Sequence, residues 1–201
     1  LISKDVDISK IRVLGMPARK QFQKEIDANV IKKKLGFKED KFTILIITGG
    51  VGIGPIYEII KLLNDRVNVI AICGYNKKLC SRLKELHLDN LIVLGWIDYV
   101  EEVMKVSDMV ITKPGGSTIS ECLIMNLPMI FFSIIPGQEF QNAQIISQEG
   151  MGFIINNPKK IVEKILHFKE NQQELKSIKH KIESFKIKDS SLKVLNLINA
   201  Q

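Results

Sequence analysis

The sequence predicts an α/β protein built on a doubly wound parallel sheet, and three observations support that fold class. Short apolar runs of strand length alternate about six times with stretches of helical length. Residues 42–48 (FTILIIT) form a continuous β-branched run, which is typical of a parallel strand buried on both faces. Glycine-rich turns follow several strands directly, and 201 residues with 45% hydrophobic content suit one domain of this kind.

The elements follow one another along the chain. We predict strands at residues 11–14, 42–48, 67–73, 91–94, 108–112, 127–132 and 152–155. We predict helices at residues 22–35, 56–63, 77–87 and 99–106, after 117, after 137, and from 158 to the end, with breaks near Asn171 and Asp189. Gly36 is expected to end the first helix, and Asn76 and Asp98 are expected to cap two later ones.

The cysteines and histidines do not predict a metal site. Three cysteines are present and no CxxC pair, so reduced core thiols are the simplest interpretation. The three histidines are scattered without the spacing of metal ligands. We therefore expect neither a metal nor a cofactor.

The charge is concentrated at the two ends of the chain. Eleven basic and six acidic residues lie in 1–41, eight and eleven in 42–157, and ten and five in 158–201. An anionic membrane surface or a solvated lysine-rich face fits such ends. Nucleic acid is disfavoured because aromatic residues are not interleaved with the lysines. No apolar run approaches 18 residues, and the chain begins with Leu1 rather than Met, so we expect a piece of a longer protein.

Two turns near the middle of the chain have the composition of anion sites. After the strand at 108–112, Pro-Gly-Gly breaks the chain and Ser117 and Thr118 open a helix, whose free N–H groups and dipole favour phosphate. Glu121 shares their helix face and is suited to accept hydrogen bonds from ribose hydroxyls. Pro136 and Gly137 form a second turn that leads into a helix, and Gln138 and Asn142 lie on one face of that helix. An ordinary strand–helix connection is the alternative interpretation of each turn.

A third glycine-rich turn, GGVGIGP at 49–55, lies between a strand and a helix. It is neither a P-loop nor a strict GxGxxG, so a dinucleotide is a poor fit. The loops at 49–55, 74–76, 95–98 and 113–118 all follow strands, and in a parallel sheet such loops meet at one edge, where ligands bind.

Six motifs, taken together, resemble a known family: GMPAR at 15–19, GGVGIGP at 49–55, CGYNKKL at 73–79, GWID at 95–98, TKPGGST at 112–118 and PGQE at 136–139. The chain is similar to the C-terminal, nucleotide-sugar-binding half of GT-B glycosyltransferases, a Rossmann-like domain. Within that class it most resembles monogalactosyldiacylglycerol synthases and diacylglycerol glucosyltransferases. The peptidoglycan N-acetylglucosaminyltransferase is a more distant relative.

The resemblance implies two sets of site residues. The nucleotide-binding set comprises Trp96, Ile97, Gly116, Ser117, Thr118 and Glu121. The set that binds phosphate and sugar comprises Arg19, Gly50, Gly52, Gly54, Gln138, Glu139 and Asn142. The resemblance implies that the backbone at 96–97 pairs with uracil and that Glu121 binds the ribose. It also implies that the helix beginning at 116–118 binds the diphosphate at its N-terminus and that the cluster at 138–142 binds the hexose. Val51 and Lys20 depart from the family pattern, which commonly has a polar residue and a proline there.

The resemblance also implies the reaction and its setting. A UDP-hexose would be the donor substrate and a lipid such as diacylglycerol the acceptor, in a cytoplasmic protein peripheral on the inner face of the membrane. Residues 1–187 would form the donor-binding domain, and 188–201 a helix returning toward an N-terminal domain that supplies the catalytic base. This piece alone would be inactive. A UDP-sugar epimerase-like enzyme and a nucleotide-binding regulatory module are the competing interpretations.

Overall fold

The computed structural model describes residues 5–15, 17–25, 27–37, 41–47, 54–185 and 190–199. Six parallel strands form one sheet in the order β3-β2-β1-β4-β5-β6. The strands are β1 (Thr43–Ile47), β2 (Asn68–Ile72), β3 (Leu91–Leu94), β4 (Met109–Thr112), β5 (Met129–Phe131) and β6 (Gly152–Ile154). This is the predicted doubly wound sheet.

Helices flank the sheet. They are α1 (Ala28–Leu35), α2 (Ile56–Leu63), α3 (Lys77–Lys84), α4 (Val100–Lys105), α5 (Gly116–Ile124), α6 (Gln138–Gln148), α7 (Pro158–Glu170), α8 (Gln172–Phe185) and α9 (Ser190–Asn199). The predicted α2 and β3 have the observed bounds. Asn76 caps α3 as expected, because its side-chain oxygen accepts from the Leu79 N–H at 2.9 Å.

The apolar residues of the central strands form the core. Leu45 and Ile46 in β1, Ile70 in β2, and Val110 and Ile111 in β4 are all almost completely buried. A strand with both faces covered needs apolar residues at successive positions, which explains the continuous runs in the sequence. The α2 helix contributes Ile56, Ile59, Ile60 and Leu63 to the same core.

The strand order creates a crevice at the centre of the sheet. β1 lies between β2 and β4, with Ile44 opposite Val69 on one side and Met109 on the other. The chain after β1 leads to one side of the sheet and the chain after β4 to the other, so the order reverses there. Ligands of such sheets bind at the carboxyl ends of the strands flanking this reversal. The loops after β2, β3 and β4 lie at this edge, whereas residues 48–53 lie outside the described residues.

Two of the features predicted for the N-terminal segment are wrong. Residues 11–14 form no strand, because the Arg12 guanidinium occupies the Ser9 and Ile11 carbonyls and Val13 is 82% exposed. The predicted helix at 22–35 is instead a short 3-10 helix, Lys20–Gln23, followed by α1, whose start is fixed by the Asp27 cap. Gly36 does end α1, in the left-handed conformation at φ 75°.

Asp98 does not cap a helix. α4 begins at Val100 after Tyr99, and Asp98 instead uses its main-chain carbonyl to accept a hydrogen bond from Gln21. At the other end of the chain, the predicted break at Asn171 separates α7 from α8. The predicted domain boundary at 187–188 and the break at Asp189 lie outside the described residues. In the described part of the chain, every helix is too short or too polar to span a bilayer.

Candidate functional site

The turn between β4 and α5 presents free main-chain N–H groups. Gly115 is the N-cap residue and offers no side-chain cap, and its N–H is bonded locally to the Lys113 carbonyl at 2.8 Å. The first intrahelical bond runs from the Ile119 N–H to the Gly115 carbonyl, so the N–H groups of Gly116, Ser117 and Thr118 have no intrahelical partner. α5 thus begins one residue before the predicted Ser117, and its first turn faces the carboxyl edge of the sheet as an anion site would.

Glu121 lies on the second turn of α5 and is largely shielded from water. Its side chain is 17% exposed, and Oε1 lies 3.6 Å from Nη2 of Arg19, a side chain that is 48% exposed. Burial raises the pKa of the Glu121 carboxyl, the Arg19 charge opposes that shift, and the negative charge of Glu101 adds to it. The carboxyl is thereby a desolvated acceptor, and in the described part of the chain its ion-pair partner is Arg19. The structure brings Arg19 to Glu121, two residues predicted for different parts of the ligand.

The segment that carries Arg19 is anchored at two points. Phe22 is 3% exposed and lies under the Arg19 guanidinium, 5.2 Å from ring centroid to Cζ. Gln21 donates from Nε2 to the Asp98 carbonyl and to Oε2 of Glu101, both at 3.0 Å. Sequence reasoning missed Gln21 and Glu101, since contacts across 77 and 80 residues leave no local signal.

The loop after β3 carries the predicted nucleobase residues. Trp96 is 59% exposed, and its ring stacks on Tyr75 with centroids 6.3 Å apart and planes 17° from parallel. Ile97, next to it, is partly buried against the core. Tyr75 was not among the predicted site residues, although the Gly-Tyr-Asn turn after the neighbouring strand β2 could have indicated it.

The helix α6 contacts the turn before α5. Asn142 donates from Nδ2 to the Pro114 carbonyl at 3.0 Å, so the predicted hexose cluster and the predicted phosphate turn are in contact. Gln138 opens α6 and is exposed. Glu139 stabilises the loop that precedes it, because its Oε2 accepts a hydrogen bond from the Ile135 N–H at 3.2 Å.

Gly54 is a glycine that packing requires. A Cβ on Gly54 would lie 2.0 Å from the ring of Phe132, which is fully buried, and its φ is +132°. Its predicted contact with phosphate or sugar stays a prediction. Gly50 and Gly52 lie outside the described residues. Among the described residues, no group of three or more His, Cys, Asp or Glu side chains could hold a metal ion.

Comparison with known proteins identifies the family. Residues 29–194 match the glycosyltransferase family 28 C-terminal domain. The processive diacylglycerol beta-glucosyltransferase of Bacillus pumilus is 33% identical over 199 residues, covering 96% of this chain and 52% of that protein. The enzyme of the same name from Staphylococcus epidermidis strain RP62A is 35% identical over 199 residues, covering 96% and 51%. The chain therefore spans about half the length of the curated relatives it matches.

Solved structures agree on the fold. MurG of Acinetobacter baumannii superposes with a TM-score of 0.68 at 17% identity, covering 92% of this chain and 58% of that one. WaaG, a glycosyltransferase involved in lipopolysaccharide biosynthesis, gives 0.64 at 14% identity, covering 90% and 53%. The predicted resemblance is confirmed: this chain belongs to the glycosyltransferase family 28 C-terminal domain family and has the fold of the C-terminal half of a GT-B glycosyltransferase.

Proposed function

We propose that this chain binds UDP-hexose as the donor half of an enzyme that transfers the hexose to a lipid hydroxyl, such as that of diacylglycerol. The observation that carries the proposal is the shielded Glu121 carboxyl, paired with Arg19 one turn after the open N-terminus of α5. One helical turn, about 5.4 Å along the axis, separates the two features, so the ribose and the diphosphate of one nucleotide are proposed to occupy them together. Supporting this ligand class, one structural neighbour, SpnG at a TM-score of 0.53, is described in complex with thymidine diphosphate.

In the proposed complex, each group in the site has a separate task. The ribose hydroxyls donate to Glu121, whose partial burial makes an unpaired acceptor costly and a paired one favourable. The diphosphate lies at the first turn of α5. As the bond from sugar to phosphate breaks, negative charge builds on the leaving UDP, and the aligned N–H groups and helix dipole stabilise it. Arg19 is near enough to Glu121 to add a positive charge on the same side.

The acceptor and the base belong to the proposal for the whole protein. The curated relatives are named for glucosyl transfer to diacylglycerol, and this chain corresponds to about half of their length. A general base must take the proton of the acceptor hydroxyl. We assign that role to the remainder of the enzyme, so the 201-residue chain is expected to bind donor without turnover.

A titration with UDP, UDP-hexose, ADP and NAD tests the donor class. We expect UDP and UDP-hexose to raise the thermal midpoint of the chain, because binding to the folded state alone stabilises it. ADP and NAD should raise it less at the same concentration. An ADP or NAD response equal to that of UDP would contradict the uridine assignment.

Replacing Glu121 tests the site directly. Glu121→Ala should weaken UDP binding by about 1–3 kcal/mol, the usual cost of leaving buried polar groups unpaired. Glu170→Ala, which changes an exposed glutamate at the end of α7, serves as the control and should leave the affinity unchanged. Isothermal calorimetry measures both. Equal affinities for the Glu121 variant and the wild type would make Glu121 a structural residue.

A further inference from the structure

The nucleobase loop, residues 95–98, is held from two sides by residues outside the predicted site. Tyr75 reaches it from the loop after β2 and stacks on Trp96. Gln21 reaches it from the N-terminal segment and donates to the Asp98 carbonyl at 3.0 Å. The main-chain groups of Trp96 and Ile97 therefore lie between two contacts from distant parts of the chain.

Burial in the core does not account for the aromatic contact. Tyr75 is 71% exposed and Trp96 is 59% exposed, so each ring shows most of its surface to solvent. The two loops leave the sheet side by side, because Ile72 and Leu94 are partners in the register and the Cys73 N–H extends the ladder to the Leu94 carbonyl at 2.8 Å. Parallel rings at this position restrict how the loop can rotate about the end of β3.

The Gln21 contact fixes the other end of the loop. Its amide also donates to Glu101 in the first turn of α4, so one side chain joins the loop to the helix that follows it. The Asp98 carbonyl that accepts from Gln21 belongs to the residue directly after Trp96 and Ile97, so this bond restrains the two residues predicted to meet the base.

We propose that Tyr75 and Gln21 are positioning residues for nucleobase recognition. They hold the 96–97 backbone so that its N–H and C=O groups meet the edge of a pyrimidine base at fixed spacing. This inference rests on the proposed function. Hydrogen bonds to a base edge depend on geometry within fractions of an ångström, and preorganising the loop removes an ordering cost at the moment of binding. Tyr75 stacks on Trp96 and Gln21 bonds to Asp98 and Glu101, so both side chains act on this loop, and Gln21 in addition anchors the segment that carries Arg19.

The separation of base from phosphate makes the proposal testable. We would measure the dissociation constants of UDP and of inorganic pyrophosphate by calorimetry for the wild type, Tyr75→Ala, Tyr75→Leu, Tyr75→Phe and Gln21→Ala. Tyr75→Ala and Tyr75→Leu should each weaken UDP binding about 5- to 10-fold and leave pyrophosphate binding unchanged. Gln21→Ala should weaken UDP binding as much but pyrophosphate binding by a smaller factor, because Gln21 also anchors the segment that carries Arg19. Tyr75→Phe keeps the ring and should stay within about twofold of the wild type.

Two controls accompany the variants. Phe185→Ala removes another exposed aromatic ring, at the end of α8, and should affect neither ligand. Trp96 is the single tryptophan of the sequence, so its emission reports on this loop alone. Tyr75→Ala should change that emission in the unliganded protein, while an unchanged thermal midpoint verifies the fold.

The possible results separate cleanly. Unchanged UDP affinity in both Tyr75→Ala and Tyr75→Leu would overturn the proposal, as would an equal loss of UDP and pyrophosphate binding. Should Tyr75→Ala fail to fold, the Tyr75→Leu and Tyr75→Phe pair still decides between a ring and mere bulk. A wild-type chain that binds pyrophosphate but not UDP would instead refute the proposed uridine donor, and this inference with it.

Discussion

Glu121 combines burial with an ion pair to the Arg19 guanidinium, and that combination makes its ionisation depend on the fold. Burial raises the pKa of the carboxyl above 4.5, so the folded state holds its proton to a higher pH than the unfolded chain does. Between the two pKa values the folded state binds more protons, and stability falls as the pH rises. Ionised Glu121 is thus a cost to the free protein that a ligand hydroxyl would relieve.

The raised pKa of Glu121 predicts how the stability of a Glu121→Gln variant depends on pH. At pH 4 and below, the wild type and the variant should have similar thermal midpoints. As the pH rises above 4.5 through the raised pKa, the variant should become more stable than the wild type, because it has no charge to desolvate. Thermal midpoints of both proteins from pH 4 to 8 measure the difference.

Glu174 provides a control of opposite sign. A hydrogen bond from His167, with Nε2 2.6 Å from Oε2, lowers the pKa of the Glu174 carboxyl below 4.5. The contribution of the ionised Glu174 to the stability of the fold is present above pH 4.5 and is lost as the pH falls through the lowered pKa. Glu174→Gln should therefore be less stable than the wild type at neutral pH, by under about 1 kcal/mol for so exposed a pair. If both Glu→Gln variants changed the stability at neutral pH in the same direction, the proposed effect of burial on Glu121 would be contradicted.

At the scale of elements, close packing of the loop before α2 against the end of β5 constrains one glycine. Gly54 has no room for a side chain, because a Cβ would lie 2.0 Å from the buried Phe132 ring. The glycine-rich sequence at 49–55 thus has at least one glycine that packing requires, whether or not it also contacts a ligand. Packing at Gly54 and binding at its neighbours are compatible roles within one turn.

A glycine series measures this constraint. Gly54→Ala combines overlap with a positive φ and should destabilise the chain by about 2–3 kcal/mol. Gly36→Ala has the positive φ of 75° but open space, so about 1 kcal/mol is expected. Gly115→Ala has neither, but alanine is a poorer N-cap residue than glycine, so about 0.5 kcal/mol is expected. Urea denaturation gives the free energy of unfolding of each variant. A Gly54 variant no less stable than the Gly36 variant would show that the Phe132 ring moves to make room for the added methyl group.

Sequence periodicity predicted the elements that pack on the core and failed where long-range contacts decide. Buried runs such as 42–48 gave strands, and Asn76 gave a cap, because burial and capping are local requirements. The N-terminal segment is different. Phe22 enters the core and Gln21 bonds to Asp98, and with these distant contacts Lys20–Gln23 forms a 3-10 helix where the predicted α-helix was expected to begin. The Tyr75 and Gln21 contacts of the site were missed for the same reason.

The whole molecule places positive charge at both ends of the chain and a slight negative excess in the middle. α9 adds an apolar stripe, since Leu192, Leu195 and Ile198 are each more than half exposed. Basic groups beside apolar surface are the combination that holds peripheral proteins at anionic bilayers. We therefore propose weak electrostatic docking of this chain to an anionic membrane surface.

Vesicle co-sedimentation tests docking at the scale of the whole chain. We expect binding to phosphatidylglycerol vesicles at low salt, little at high salt and little to phosphatidylcholine, because the Debye length shortens as salt rises. Lys159→Gln with Lys160→Gln removes two exposed lysines from the first turn of α7 and should weaken binding by up to about 2 kcal/mol. Lys77→Gln with Lys78→Gln removes the same charge from the first turn of α3, in the acidic middle, and should matter less. Equal losses in the two double variants would mean that net charge, rather than the basic ends, governs the attraction, and binding without dependence on anionic lipid would exclude the electrostatic mechanism.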